Sequence, residues 1–177
     1  MDISCQPITA FKRDEPSRTK FGGLRFRSGC VLSAGHWTFG AFSGLRIVDG
    51  GAALWAVGDK GHWLRAAIAR DETGQVSDIY DAASAPILNT AGRTEVKKWA
   101  RDAEALDNVG GELFVSYERL DTVRRFTLPA TGFPGAAQTV AYPFPDWELR
   151  QNEGLEALAA APPKGPPPAA LLPTTIL

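Results

Sequence analysis

Short apolar segments separated by glycine-rich turns dominate the hydrophobic pattern of this chain, and helical periodicity is scarce. Residues 45–59 predict a strand, a tight Asp-Gly-Gly turn and a second strand. Residues 62–82 predict another hairpin, and residues 110–129 predict a third, in which apolar positions alternate. Val, Ile, Phe, Trp and Tyr between Gly-containing turns are typical of short antiparallel strands. The pattern therefore predicts an all-β fold.

Three stretches of the chain resemble one another. Repeat 1 (residues 42–63), repeat 2 (102–123) and repeat 3 (152–165) each place a small or acidic cluster before a leucine and a Gly-containing turn. The aligned leucines are Leu45, Leu106 and Leu158, spaced by 61 and 52 positions. Repeats of this size built from short strands are typical of β-propeller blades, each a four-stranded antiparallel sheet. A β-sandwich, which has similar strands without a repeat, is the alternative.

Acidic side chains occupy corresponding places in these repeats. In a propeller the inner strands and their loops converge on the axis, so acids far apart in sequence would meet there. Hard oxygen ligands without His or Cys favour calcium, with magnesium as the alternative, and a bound calcium ion would polarise a phosphoryl oxygen. The alternative is that these acids cap turns or face solvent. The candidates are Asp59, Asp102, Glu104, Glu118, Glu153 and Glu156.

Other residues carry weaker signals. The segment 40–44 resembles a nucleophile elbow, but Gly40 lies three places before Ser43 instead of two, so we interpret Ser43 as a turn residue. His62 is a candidate base or phosphate donor, and the alternative is a packed histidine beside Trp63. Arg119 is a candidate anion-binding group. It directly follows Glu118, and in a strand the two side chains would face opposite sides.

Composition narrows the classes of function. The 177 residues carry a net charge of −1, which gives no basic field and predicts no nucleic-acid partner. No apolar run is long enough to span a bilayer, and no secretory leader is visible, so the chain as written is expected to be soluble. Cys5 and Cys30 lack zinc-site spacing. One disulfide is an option, but we favour two unpaired thiols.

Several motifs in order make the chain similar to a known family. "FSGLRI", "AVGDKGHWL", "DAEAL", "LFVSYER" and "NEGLEAL" resemble the phytase-like family of bacteria, often described as esterase-like activity of phytase. The resemblance runs from about Phe21 to Leu158. It implies a β-propeller and, through a distant relation to calcium-dependent phytases, hydrolysis of a small-molecule phosphoester or ester at a metal-lined channel mouth. The residues carried over by position are Asp59, Asp102, Glu104, Glu118, Arg119, Asn152 and Glu156.

The resemblance also has departures. Family members usually read "SDRG" where this chain has "GDKG", so Gly58 and Lys60 differ in that turn while Asp59 remains. The chain resembles only the first half of such a propeller, about three blades. Many members are exported, which the visible start of this chain does not support.

The C-terminal segment changes character in the middle of repeat 3. Its prolines remove backbone donors, so residues 161–177 predict a disordered, polyproline-like tail, interpreted as a non-native continuation or a linker.

We expect residues 1–20 to form an N-terminal arm and residues 21–160 a partial propeller. An open blade edge would favour self-association. The two functional hypotheses are a metal-dependent hydrolase, weak or inactive as this chain, and a non-catalytic propeller that holds a structural calcium ion.

Overall fold

The computed structural model describes residues 1–141, residues 155–161 and the backbone of residues 169–172. This part of the chain is nearly all β, which confirms the predicted class, and its one α-helix, α1, spans Lys98–Arg101. The strands are β1 Ser4–Pro7, β2 Lys20–Phe21, β3 Leu24–Arg25, β4 Cys30–Ser33, β5 Phe42–Val48, β6 Ala53–Gly58, β7 His62–Arg70, β8 Val76–Pro86, β9 Ala103–Val109, β10 Glu112–Tyr117, β11 Thr122–Thr127, β12 Gln138–Val140, β13 Ala157–Ala160 and β14 Ala169–Leu172.

Two four-stranded sheets confirm the predicted hairpins. The first has the order β5-β6-β7-β8 and the second the order β9-β10-β11-β12, so each follows the sequence order of its strands. Gly110 (φ 59°) and Gly111 (φ 80°) turn β9 into β10, because a tight hairpin turn needs positive φ at both central residues. Repeat 1 contains β5 and β6, and repeat 2 contains β9 and β10, so each of these two repeats consists of a strand, a turn and a second strand.

The strand β10 is buried from Leu113 to its end at Tyr117. Leu113 and Val115 are fully buried, and the intervening residues Phe114 and Ser116 are also buried. The alternation predicted for this segment therefore does not separate a core face from a solvent face, since both faces of the strand are covered. The core on one side consists of residues from the second sheet and the start of repeat 3, namely Ala105, Phe114, Val123, Leu155 and Leu158.

The C-terminal segment contains a strand that the sequence reasoning missed. The strand β14 pairs antiparallel with β13, with Ala157 opposite Leu172. Residues 169–172 lie between prolines and contain none themselves, so every backbone N–H in the strand is available for pairing. The prediction of a disordered tail is therefore wrong for these four residues. Residues 162–168 and 173–177 lie outside the described part of the chain.

The two cysteines form a disulfide, so the prediction of unpaired thiols is wrong. Cys5 and Cys30 lie 25 residues apart, and their Cα atoms are 5.4 Å apart, within the usual range for a disulfide. The pairing of β1 with β4 brings them together, because Pro7 lies opposite Cys30 and Cys5 lies opposite Leu32. Residues 1–20 therefore include a strand that is tied to β4.

The described chain forms two compact units. Unit 1 comprises Met1–Phe39, Ile47–Leu54 and Arg65–Ala83, and unit 2 comprises Gly40–Arg46, Trp55–Leu64 and the chain from Ser84 onwards. Unit 2 contains T-shaped contacts of Trp63 with Trp55 and Phe126, with ring centroids 5.8 and 5.1 Å apart. Among the described residues, no helix has the length and apolar character needed to cross a membrane.

In unit 2, the first strands of successive repeats lie very close together. A Cβ atom built on Gly44 of β5 would lie 2.5 Å from the backbone nitrogen of Leu106 in β9. Only a residue without a side chain fits at that distance. In repeat 3, Leu158 of β13 packs into the same core as Ala105 of β9.

A buried carboxylate links the same three strands. Asp107 of β9 is 6% exposed, and one of its oxygens lies 2.6 Å from Nε of Arg46 in β5. Its other oxygen accepts a hydrogen bond from the backbone N–H of Ala160 in β13 at 2.6 Å. Because a buried charge needs partners, this residue favours one relative position of the three strands.

The close packing of β5 on β9 generates a stability prediction. Replacing Gly44 with alanine forces a methyl group against the backbone of Leu106, so we expect a loss of about 1–3 kcal/mol in the free energy of unfolding. Chemical denaturation followed by tryptophan fluorescence measures this loss. The matched control is Gly35→Ala, where nothing lies within 4 Å of the added Cβ. Equal stability of the two variants would contradict the packing.

Candidate metal centre

The turn after β6 holds Asp59 through close backbone contacts. The N–H of Asp59 donates a hydrogen bond to the carbonyl oxygen of Ala41 at 3.2 Å. A Cβ atom on the preceding residue, Gly58, would lie 1.7 Å from that same oxygen, so only glycine permits the contact. The departure from "SDRG" to "GDKG" thus places at position 58 the one residue type that fits this local geometry.

A β-bulge presents Glu104. In the pairing of β9 with β10, Ser116 lies opposite Ala105 while Tyr117 lies opposite Ala103, so Glu104 is the extra residue. The Ser116 hydroxyl accepts a hydrogen bond from the N–H of Ala105 at 3.1 Å beside the bulge. Bulges re-aim side chains, and here the bulged residue is acidic. Asp102 precedes β9 directly, where α1 has ended at Arg101.

These elements bring three of the predicted acids together within unit 2. Asp59, Asp102 and Glu104 each offer a carboxylate oxygen, and these oxygens lie within 4.8 Å of one another. Asp102 is only 8% exposed. Within the described ranges, the carboxylates of Asp102 and Glu104 form no hydrogen bond and no ion pair within 4.0 Å. The group is thus a cluster of like charges with little internal compensation.

Burial and mutual repulsion raise two pKa values in this cluster. The pKa of Asp102 is raised first by burial and then by the nearby charge of Asp59, although Lys98, Arg119 and Arg101 act in the opposite direction. The pKa of Glu104 is raised by burial and then by Asp102, Asp59, Glu118 and Glu156. Both carboxylates are therefore costly to ionise in the metal-free protein, and a bound cation would relieve that cost.

A second acidic pair lies in the corresponding place one repeat further along. Glu118 follows β10 as Asp59 follows β6, and Glu156 precedes β13 by one residue. Burial and then the charge of Glu156 raise the pKa of Glu118, whereas Arg119 lowers it. Glu118 and Arg119 lie in the turn after β10, so the prediction that they face opposite sides of a strand does not apply. Arg119 is exposed and acts electrostatically on both Asp102 and Glu118.

The other residues considered in the sequence analysis lie in different parts of the chain. His62 opens β7, and its Nδ1–H donates to the carbonyl oxygen of Lys60 at 2.8 Å. Asn152 and Glu153 lie outside the described residues. Ser43 is the second residue of β5, so its interpretation as a turn residue is wrong. The roles of these residues as ligands or catalysts stay predictions.

Ser43 is also the site neighbour that sequence reasoning missed. Its hydroxyl donates a hydrogen bond to Oδ1 of Asp59 at 3.3 Å. The repeat alignment contained the signal, because Ser43-Gly44-Leu45 aligns with Glu104-Ala105-Leu106 and with Glu156-Ala157-Leu158. The same position is thus a serine in repeat 1 and a glutamate in the two others.

One comparison with known proteins identifies a family. The model of a family described as "Phytase-like: Esterase-like activity of phytase" matches residues 37–172. The match covers both four-stranded sheets and all of the acidic residues named above. No curated protein and no solved structure matches the chain.

The raised pKa of Glu104 predicts a pH-dependent stability. A carboxyl group whose pKa is higher in the folded than in the unfolded chain binds its proton more tightly when folded. The metal-free protein should therefore lose stability as the pH rises from the ordinary glutamate range through the raised pKa. Glu104→Gln removes the Glu104 part of this loss, so the melting temperature at pH 7 should be higher by about 2–4 °C per kcal/mol of relieved repulsion.

Calorimetric melting in a chelator between pH 4 and pH 7.5 tests this prediction. The matched control is Glu72→Gln, because Glu72 lies exposed in the turn between β7 and β8. A Glu104→Gln profile that runs parallel to the wild-type and control profiles, with no higher melting temperature at pH 7, would contradict the electrostatic account.

Proposed function

The chain belongs to the phytase-like family, and from this premise we propose that it is a calcium-dependent hydrolase of small phosphoesters or esters, or part of one. The observation that carries the proposal is the cluster of Asp59, Asp102 and Glu104. Its members come from the ends of strands in repeats 1 and 2, as a site at a channel mouth requires.

We infer further that the repeats are blades of a β-propeller, about three of them, within residues 21–160. Two four-stranded sheets in sequence order support this inference, as does the burial of β10 on both faces. The close approach of β5 to β9 and the packing of β13 with β9 in one core are the contacts expected of adjacent blades. Residues 1–20 and 161–177 would then flank the blades as an arm and a tail.

The donor set suits a hard cation. All the candidate ligands are carboxylate oxygens, which calcium prefers, and among the described residues Asp102 and Glu104 have no protein cation within ion-pair distance. Asp59, Asp102 and Glu104 would hold the ion, and Glu118, Asn152 and Glu156 would extend the acidic rim. When bound, the ion supplies Lewis acidity towards a phosphoryl or carbonyl oxygen.

Two residues of the chain would act on the substrate. The exposed guanidinium of Arg119, close enough to influence both Asp102 and Glu118, would bind the anionic oxygens of a phosphate group. The hydrogen bond from Nδ1 of His62 to the carbonyl of Lys60 holds this ring at the start of β7, and His62 would act as the base or as a hydrogen-bond donor to the phosphate.

A non-catalytic binding or scaffold module is the second candidate function. This candidate is favoured because the three acids belong to two repeats: Asp59 lies in repeat 1, and Asp102 and Glu104 lie in repeat 2. A cation at this point would join the two repeats whether or not any chemistry occurs. In this alternative the ion is structural.

Turnover assays separate the two functions. We expect the protein to release p-nitrophenol from p-nitrophenyl phosphate or p-nitrophenyl acetate in calcium and not in chelator. Glu104→Gln should lose at least about tenfold in rate, and Glu72→Gln should match the wild type. If neither substrate turns over while calcium still raises the melting temperature, this chain by itself is a calcium-binding module and not a hydrolase. If calcium changes neither quantity, both proposals fail.

Arg119 permits a test of the substrate class. In Arg119→Ala the anionic phosphate loses a charge-assisted contact that a neutral ester never makes, so kcat/KM for the phosphoester should fall about tenfold or more. The acetate ester should change by less than about twofold. Arg13→Ala, which removes an exposed arginine of unit 1, is the control. An equal fall for both substrates would count against phosphate binding by Arg119.

A further inference from the structure

Ser43 supports the candidate metal centre from repeat 1. Its Oγ donates to Oδ1 of Asp59 across 16 positions of sequence, at 3.3 Å. The neighbouring backbone contact, from the N–H of Asp59 to the carbonyl of Ala41, holds the same two segments together. Asp59 is thus held both through its main chain and through its carboxylate.

The backbone around this contact is built for close approach. Ala41 has a φ of 54°, a left-handed conformation that a non-glycine residue rarely adopts and that surrounding structure must enforce. Gly58 allows the Ala41 carbonyl to come within range of Asp59, since any side chain there would collide with it. Both features fix the start of β5, and with it Ser43, against the turn that carries Asp59.

The residue type at position 43 sets the charge of the cluster. The aligned positions in repeats 2 and 3 are Glu104 and Glu156, so a glutamate here would add a fourth carboxylate beside Asp59, Asp102 and Glu104. A serine contributes a hydrogen-bond donor and no charge. It therefore orients one carboxylate without adding a further negative charge to the cluster.

We propose that Ser43 is a positioning residue, which holds the Asp59 carboxylate towards Asp102 and Glu104 and thereby strengthens calcium binding without being a ligand. The proposal rests on the calcium site of the proposed function. Partners that orient metal ligands in this way contribute about 10–100-fold to metal affinity.

Calorimetric titration with calcium chloride tests the proposal on the full chain. Ser43→Ala should bind calcium about tenfold more weakly, and Ser43→Thr, which keeps the hydroxyl in a strand position, should stay within about threefold of the wild type. The matched control is Ser33→Ala, a serine of β4 in unit 1. Wild-type affinity in Ser43→Ala, or failure of Ser43→Thr to restore it, would overturn the positioning role.

A second variant keeps the proposal testable if Ser43→Ala does not fold. Ser43→Glu makes repeat 1 resemble repeat 2, so it should melt at a lower temperature than the wild type in chelator and gain more from saturating calcium. Equal melting in chelator and an equal calcium shift would place Ser43 outside the cluster and overturn the proposal. Absence of calcium binding by the wild-type protein would instead overturn the proposed function itself.

Discussion

The close packing of β5, β9 and β13 is the constraint on which the rest of the site depends. Gly44 lets β5 approach the backbone of Leu106, and the carboxylate of Asp107 links Arg46 of β5 to the N–H of Ala160 in β13. Asp107 also accepts a hydrogen bond from the N–H of Asn108 at 2.7 Å, so a buried charge is well supplied with partners. A different register of the three strands would remove the contacts of this charge with Arg46 and Ala160, which costs stability because the carboxylate is buried.

The same packing creates the repulsion among carboxylates that a bound cation would relieve. Once the strands are adjacent, the acids at their ends converge, and Asp102 and Glu104 come close to Asp59 with raised pKa values. Local features hold this arrangement in place, including the bulge at Glu104 and the glycine at position 58. A cluster of like charges kept in position at a cost to stability is a common property of functional sites.

Much of the fold could be predicted because its signals are local. The turn glycines and the apolar segments between them predicted three hairpins of the two sheets. The aligned leucines differ in burial, since Leu106 and Leu158 are buried and Leu45 is 52% exposed. The disulfide depended on the pairing of β1 with β4, a contact between distant short strands with no pattern of their own. The strand β14 was hidden by the prolines on either side of it.

The candidate site could be predicted in part for the same reason. The convergence of Asp59, Asp102 and Glu104 was predicted because each lies near a strand end within the repeats, whereas the contact of Ser43 with Asp59 was not predicted. The repeat alignment makes position 43 equivalent to Glu104, but the contact of the Ser43 hydroxyl with Asp59 depends on the backbone geometry at Ala41 and Gly58. The bulge that presents Glu104 likewise becomes visible only when the register of β9 and β10 is known.

In the proposed site, strand packing in unit 2 gathers three carboxylates around one cation. Anomalous X-ray diffraction from crystals grown in calcium chloride tests this arrangement. We expect a single strong peak about 2.3–2.6 Å from oxygens of Asp59, Asp102 and Glu104. Density that shows these three side chains apart, or a well-ordered cluster with no peak at saturating calcium, would contradict it.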